Sequence, residues 1–330
     1  MRVHILDDWF DTLRGLPCFA MLADHEVIVW NDHEPNVDAL AARVRHAECL
    51  VLFRERTKIT RELIERVPNL KLISQRSVYP HIDVPACTEF GVLLCSNQHR
   101  DTPSYAAAEL TLALILASYR QIPEQVAAIR SGKWQMGVGR SLRGRTLGLY
   151  GYGRIAKAVA RYADAIGMRV QWWASDEGRA RARADGVDLA ADRHAFFSTS
   201  DIVSLHVRLK ATTKGIVTAS DLAAMAPRSL LVNTSRSGLI QPGALEAEIA
   251  RGRIFAAVDV YDREPLTDPA HRLLTHPNVL PTPHIGYVTE DEFELQFSDI
   301  FDQVNAYAAG APIHMINPEV WNAAEHGSQA

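Results

Sequence analysis

Residues 147–173 read LGLYGYGRIAKAVARYADAIGMRVQWW, and the reading of this stretch decides the fold. Leu147-Gly148-Leu149-Tyr150 is a short apolar run with the length of a buried parallel strand. The turn Gly151-Tyr152-Gly153 follows. Ile155, Ala158, Val159, Tyr162 and Ile166 then recur at helical spacing, and Gly167 marks the stop. Met168 to Trp173 is a second strand-like run. Strand, glycine turn, helix and strand make a βαβ unit whose turn matches a dinucleotide fingerprint, with Ala156 in the third glycine position. Gly151 permits the turn, and Gly153 lets the backbone approach a pyrophosphate. Ala156 lets the helix lie on the strand, and the first N–H groups of the helix, at Arg154 and Ile155, face the phosphates. A glycine turn alone is weak, but here strand, helix and strand are all in register with it, which predicts dinucleotide binding.

Working outward, residues 1–97 alternate apolar runs with helical patterns. Val3–Leu6, Val27–Trp30, Cys49–Phe53, Leu70–Ser74 and Val92–Cys95 read as strands, and 37–47, 60–67 and 85–90 as helices. That is a small doubly wound α/β domain without a phosphate fingerprint. Pro103 is expected to open a long apolar helix that Pro123 kinks or restarts and Gly132 ends. Its apolar residues go nearly all round, which predicts burial between domains or subunits. Strand patterns recur at 201–207, 229–233, 256–260 and 279–281, with helical patterns at 219–225 and 243–251. Beyond Gly286 an amphipathic helix carries Phe293, Phe297, Phe301, Val304 and Tyr307 on one face and stops at Gly310. It is expected to fold back on the first domain. The expected division is therefore 1–98 with 287–330, and 99–286, with the tail 323–330 disordered.

The bulk properties exclude several classes. The 330 residues suffice for two domains, and the net charge of −4 offers no basic face for nucleic acid. The local runs Arg140–Arg145 and Arg179–Arg183 read as solvated surface. The opening MRVHILDDWF lacks the pattern of a signal peptide, and no run is long and apolar enough to span a membrane. A cytoplasmic location is expected. Cys18, Cys49, Cys87 and Cys95 are scattered, which suits reduced thiols and neither zinc nor disulfides.

In a doubly wound sheet the ligand lies at the carboxyl ends of the strands. Arg236, Glu264 and His284 each follow such an end. A guanidinium can grip a carboxylate, an imidazole can exchange a proton, and a carboxylate on the imidazole fixes its tautomer and favours its charged form. From spacing alone, His284 can equally be a core histidine, and Arg236 with Glu264 a structural ion pair.

The chain resembles the D-isomer-specific 2-hydroxyacid dehydrogenases over nearly its whole length. The resemblance rests on LRGRTLGLYGYGRIAKAVA from Leu142, SLLVNTSRSGLI from Ser229, AAVDVYDREPL from Ala256 and PNVLPTPHIG from Pro277. It implies an NAD(P)-binding Rossmann domain, a discontinuous flavodoxin-like substrate domain, and a homodimer. By it, His284 matches the acid/base, Glu264 its partner and Arg236 the substrate-binding arginine, while Asp259 matches the aspartate near the nicotinamide. Val207 and Thr234, at strand ends, join the expected cofactor contacts, and Ser77, Val78 and Arg54 the substrate contacts. The implied reaction is hydride transfer between NAD(P) and a small D-2-hydroxy acid or 2-oxo acid of the glyoxylate, hydroxypyruvate or phosphoglycerate type. Glu264, in place of the glutamine of the formate branch, favours a hydroxy acid over formate. Phosphite oxidation, or a dinucleotide-sensing role like that of corepressors on this fold, are the alternatives.

Two departures stand out. The family's ribose-binding acid is replaced by Ala174; Asp176 is near enough to substitute, whereas Ser175 and Arg179 suit a 2′-phosphate, so NAD is expected with NADP close behind. The family's glycine-rich substrate loop reads Gln75-Arg76-Ser77-Val78-Tyr79-Pro80. That is either a differently shaped loop with the same task or a pocket altered by Arg76 or Tyr79.

Overall fold

The structure is a computed structural model and describes residues 1–98 and 104–322. The helix start expected at Pro103 and the tail 323–330 lie outside the described residues. By contacts the chain divides into two units, Met1–Pro103 with Thr289–Ala330, and Ser104–Val288.

The first unit carries β1 (Arg2–Ile5), β2 (Glu26–Val29), β3 (Cys49–Val51), β4 (Leu72–Arg76) and β5 (Leu93–Asn97), all parallel in the order β2-β1-β3-β4-β5. This is the flavodoxin-like arrangement. One face is covered by α1 (Val37–Val44), α2 (Arg61–Glu65) and α3 (Val84–Glu89), which bury Leu40, Val44, Leu63, Ile64 and Cys87 against Leu50, Ile73 and Leu94.

The second unit contains α4 (Ala106–Arg120), α5 (Ile122–Arg130), β6 (Thr146–Tyr150), α6 (Arg154–Ala165), β7 (Arg169–Trp173), α7 (Asp176–Ala184), α8 (Arg193–Thr199) and β8 (Ile202–Leu205). It continues with α9 (Ala219–Ala224), β9 (Leu230–Asn233), α10 (Ala244–Ala250), β10 (Phe255–Val258), α11 (Arg272–Thr275) and β11 (Val279–Pro281). Its six strands are parallel in the order β11-β10-β9-β8-β6-β7, and a parallel bridge from Trp172 to Leu189 adds one more pairing outside β7. The chain reverses direction across the sheet between β6 and β8, where a Rossmann fold opens its ligand crevice.

The last helix, α12 (Glu290–Ala308), returns to the first unit and covers the other face of its sheet on β4 and β5. Its aromatic stripe meets the strand ends, with Phe297 stacked 4.4 Å from Phe53. Ser74 Oγ donates to the Ile300 carbonyl at 2.9 Å, and Arg76 Nε pairs with Asp299 at 2.7 Å.

Strand alternation in the second unit divides its core. Leu147 and Leu149 of β6 face α4 and α6, whereas Tyr150 faces Phe196 and Phe197 of α8. Pro123 restarts the helix from the first turn of α5, and the break itself falls at Gln121, whose left-handed backbone (φ 53°) closes α4. Within the chain α4 buries Ala108, Leu114, Ile115 and Tyr119 and leaves Leu116 37% exposed. Helices α7, α8 and α11 were not anticipated. Each starts on a side chain that accepts from the first turn: Ser175, Asp192 and His271.

Gly148 shows how closely β6 is packed. A Cβ there would lie 2.2 Å from Ser200 Oγ and 2.9 Å from the Phe196 ring. Gly148→Ala is expected to lower the unfolding free energy by about 1–3 kcal/mol through overpacking. The check is a shift of the urea midpoint at constant slope; an unmoved midpoint would show that helix α8 yields without cost.

Candidate active site

The turn after β6 stands where the sheet order reverses. Gly151 has φ 116°, and a Cβ on it would fall 2.3 Å from the His206 carbonyl oxygen and 3.3 Å from Val207. Only glycine allows that approach. Gly153 is the N-cap of α6 and offers no side-chain cap, and a Cβ there would meet nothing within 4 Å. The space above the turn is therefore open, and the first N–H groups of α6, at Arg154 and Ile155, are uncapped by a side chain, as a pyrophosphate requires. Ala156 is fully buried under the helix. These residues fit a dinucleotide.

The neighbouring groups are fixed by the protein itself. Arg154 Nη1 donates to the Ser104 carbonyl at 2.6 Å. Thr234 Oγ1 lies 2.8 Å from Thr111 Oγ1, which ties the end of β9 to α4. Sequence reasoning passed over His206, whose Nε2 lies 2.9 Å from Ser204 Oγ. Burial pulls its pKa down to about 4, so the imidazole beside the glycine turn is neutral at physiological pH. Tyr152 was also missed: its hydroxyl donates to Asp185, which Lys157 Nζ reaches at 2.7 Å. That trio anchors the middle of the turn to the end of α7.

At the ribose end, Ala174 is 5% exposed and follows β7 directly. Ser175 Oγ accepts from the Gly178 N–H, and Asp176 pairs with Arg179.

His284 follows β11 in a left-handed backbone conformation (φ 54°) that a non-glycine residue adopts only when its surroundings hold it there. Asp259, just past β10, does the holding. Its carboxylate is fully buried and accepts from Thr282 Oγ1 at 2.7 Å, Ile285 N–H at 2.8 Å and Gly286 N–H at 2.9 Å. A Cβ on Gly286 would crowd Asp259 Oδ2 at 3.1 Å. Burial pushes the Asp259 pKa above the usual carboxylate range against the pull of these donors and of nearby His284.

The His284 ring is oriented from two sides. Tyr287 meets it edge-on at 5.7 Å, and Nδ1 is 2.6 Å from Glu264 Oε2. A carboxylate can only accept, so Nδ1 carries the proton and Nε2 is left for a reacting group. Burial works to raise the Glu264 pKa. The bond from His284, the Tyr261 N–H at 2.8 Å on the other oxygen and the charge of Arg236 outweigh it and hold the carboxyl below its ordinary range. Arg236 N-caps the short 3-10 turn Ser237–Leu239 after β9, and its Nη1 donates to the Ser235 carbonyl at 2.7 Å. A cation, a carboxylate and an imidazole thus share one rim of the second unit. Among the described residues no group of three or more His, Cys, Asp or Glu could hold a metal ion.

The expected substrate contacts belong to the first unit. Arg54 follows β3 in a left-handed conformation (φ 56°). Ser77 is left-handed too (φ 79°). Its N–H donates to the Asn97 carbonyl at 3.0 Å, and its own carbonyl accepts from buried Gln75 Nε2 at 3.0 Å and Ser96 Oγ at 2.7 Å. Val78 is 41% exposed. Arg76 is 11% exposed and held by Asp299, and Tyr79 packs on the core of its own unit.

Residues 112–286 match the family model described as "D-isomer specific 2-hydroxyacid dehydrogenase, NAD binding domain". The chain is 34% identical to the hydroxypyruvate reductase of Thermotoga maritima over 88% of its own length and 92% of that protein's. It is 35% identical to the D-3-phosphoglycerate dehydrogenase of Methanocaldococcus jannaschii over 83% of its length, and that match spans 52% of the longer relative. A crystal structure of a putative D-3-phosphoglycerate dehydrogenase from Ralstonia solanacearum superposes with a TM-score of 0.93 at 41% identity, covering 97% of this chain and 98% of that one. The matched domain is an NAD-binding one, and the chain belongs to the D-isomer specific 2-hydroxyacid dehydrogenase family.

Proposed function

We propose that the protein is an NAD-dependent dehydrogenase that interconverts a small D-2-hydroxy acid and its 2-oxo acid, of the glyoxylate, hydroxypyruvate or phosphoglycerate type. The observation that carries the reading is the 2.6 Å bond from His284 Nδ1 to a Glu264 carboxylate held in its charged form. Bound NAD supplies the hydride donor or acceptor. In the reductive direction protonated His284 gives its Nε2 proton to the forming alkoxide; in the oxidative direction neutral Nε2 takes the proton back. Glu264 stabilises the imidazolium in both. Arg236 grips the substrate carboxylate and polarises the adjoining carbonyl. Asp259 keeps the backbone of His284 in place.

The cofactor contacts in this reading are Gly151, Gly153, Arg154, Ile155, Ser175, Asp176, Val207, Thr234 and Asp259. Ser77, Val78 and Arg54 are the substrate contacts of the first unit. Since the Ser77 amide is bonded to Asn97, its hydroxyl is the group it offers. Phosphite oxidation would suit an extra cation in the loop, and Arg76, the loop's cation, is paired with Asp299.

A homodimer and a cytoplasmic location complete the proposal. Ile122, Val126 and Ile129 of α5 and Trp134, Met136 and Val138 beyond it form an exposed apolar strip, with Trp134 78% and Val138 88% exposed. Such a strip suits a subunit contact. No helix among the described residues is long and apolar enough to cross a membrane.

Turnover of the oxo acids with NADH, followed by absorbance, tests the activity, and no turnover with any of them would overturn it. His284→Ala is expected to lower kcat by about 10²–10⁴-fold while NAD affinity holds. Glu264→Gln removes the carboxylate that accepts from His284 Nδ1, so kcat should fall by about tenfold or more while NAD affinity holds. An unchanged kcat would make Glu264 a bystander. Gly153→Ala has room for its methyl in the protein alone, so the thermal midpoint should hold while NAD binding weakens by about tenfold or more, as read by calorimetry. Retained affinity would place the pyrophosphate elsewhere. Analytical ultracentrifugation should return about twice the 36.6 kDa chain mass; a monomer at micromolar concentration would dispose of the dimer.

A further inference from the structure

The loop after β4 carries one more inference, which rests on the proposed reading of Val78 as a substrate contact. Ser77 has a left-handed backbone (φ 79°), a conformation that an L side chain disfavours by roughly tenfold. Three side-chain donors hold it there, and all three converge on one atom. The Ser77 carbonyl oxygen accepts from Gln75 Nε2 at 3.0 Å, from Ser96 Oγ at 2.7 Å and from Gln98 Nε2. A carbonyl has two lone pairs, so its accepting capacity is used up.

The donors also fix one another. Gln75 Nε2 donates to Ser96 Oγ at 2.7 Å, which leaves the serine hydroxyl proton for the Ser77 carbonyl. Gln75 is fully buried, Ser96 nearly so, and Gln303 of α12 donates to the Gln75 carbonyl at 3.1 Å. Turned over, the Gln75 amide would set its oxygen against the Ser77 oxygen, so its donor side belongs there.

A held carbonyl determines what the peptide unit shows on its other side. The Ser77–Val78 bond is trans, so the Val78 N–H points opposite to the Ser77 carbonyl, away from Gln75 and Ser96. Val78 is 41% exposed, and among the described residues nothing accepts from its N–H. A backbone N–H on a fixed peptide donates to an anion without reorganising first.

We propose that Gln75 and Ser96 are positioning residues for substrate binding: their joint grip on the Ser77 carbonyl aims the Val78 N–H at the substrate carboxylate. Neither side chain touches the substrate. Without the grip Ser77 leaves the left-handed region, and the apparent affinity for the acid falls with the fraction of molecules that keep the pose.

The test is steady-state kinetics on the full chain with the oxo acid that turns over. Alongside it, oxamate, an unreactive isostere of a small 2-oxo acid, is titrated by calorimetry into the NADH-saturated protein. Gln75→Met removes the donors at similar shape and strands no donor elsewhere, since Gln75 Oε1 has no partner among the described residues. It is expected to raise KM and the oxamate Kd by about tenfold, while kcat and NADH affinity stay within about threefold. Ser96→Ala is expected to raise KM and the oxamate Kd by about threefold or more, and it keeps the test open should Gln75→Met fail to fold. Ser74→Ala is the control. That hydroxyl is just as buried and belongs to the same strand as Gln75, but it donates to the Ile300 carbonyl. Its loss should lower the urea midpoint and leave KM and the oxamate Kd where they were. The proposal is overturned by unmoved KM and oxamate affinity in the folded Gln75 or Ser96 variant, by an equal loss of NADH affinity, or by an equal rise of KM in Ser74→Ala. A parent protein that binds NADH yet neither turns over an oxo acid nor binds oxamate would refute the substrate reading beneath the proposal, and the proposal with it.

Discussion

One buried carboxylate keeps the reacting end of this protein in order. Asp259 receives three hydrogen bonds, two of them from the N–H groups of the residues directly after His284. A left-handed histidine costs on the order of 1–3 kcal/mol relative to a relaxed backbone, and it persists because its neighbours are fixed on a fully buried anchor. Everything further out depends on that anchoring. Glu264 can orient the ring only because the backbone presents it, and Arg236 shares a rim with both because β9, β10 and β11 lie side by side in one parallel sheet. Donors from the segment it positions offset part of the cost of burying Asp259, and the same three bonds hold the loop.

Much of this was legible in the chain. The eleven strands among the described residues all correspond to apolar runs, and the signal is strongest where a strand is buried on both faces, as in β3, β8 and β9. The fingerprint turn was legible for a different reason: Gly151 answers to a steric demand that no other residue meets. The rest was hidden where the determinants are short or distant. Helix α7, with the sequence DEGRARARA, has no apolar stripe to detect, and its real signal was the Ser175 cap. The break at Gln121 was displaced from Pro123 because a left-handed residue, rather than the missing proline N–H, ends α4.

The site residues divide in the same way. His284, Glu264 and Arg236 follow strand ends, where position alone raises suspicion, yet only the 2.6 Å bond separates a working pair from two nearby charges. Thr282, Tyr287 and His206 were missed, since a hydroxyl, a ring edge and a neutral imidazole leave no pattern in sequence. The role of Arg76 stayed open in sequence for a related reason. Its partner Asp299 lies more than two hundred positions away, and no local reading of the loop could join them.

That long tie between β4 and α12 has a bearing on how the chain is made. Emerging from the ribosome, the first five strands must wait with one face of their sheet bare, because the helix that covers it follows the whole intervening unit in sequence. The Ser104–Val288 unit, contiguous in sequence, is translated in between and ends just before α12 begins. Translation therefore leaves Phe53 and its neighbours without their aromatic cover while the nucleotide-binding half is being made.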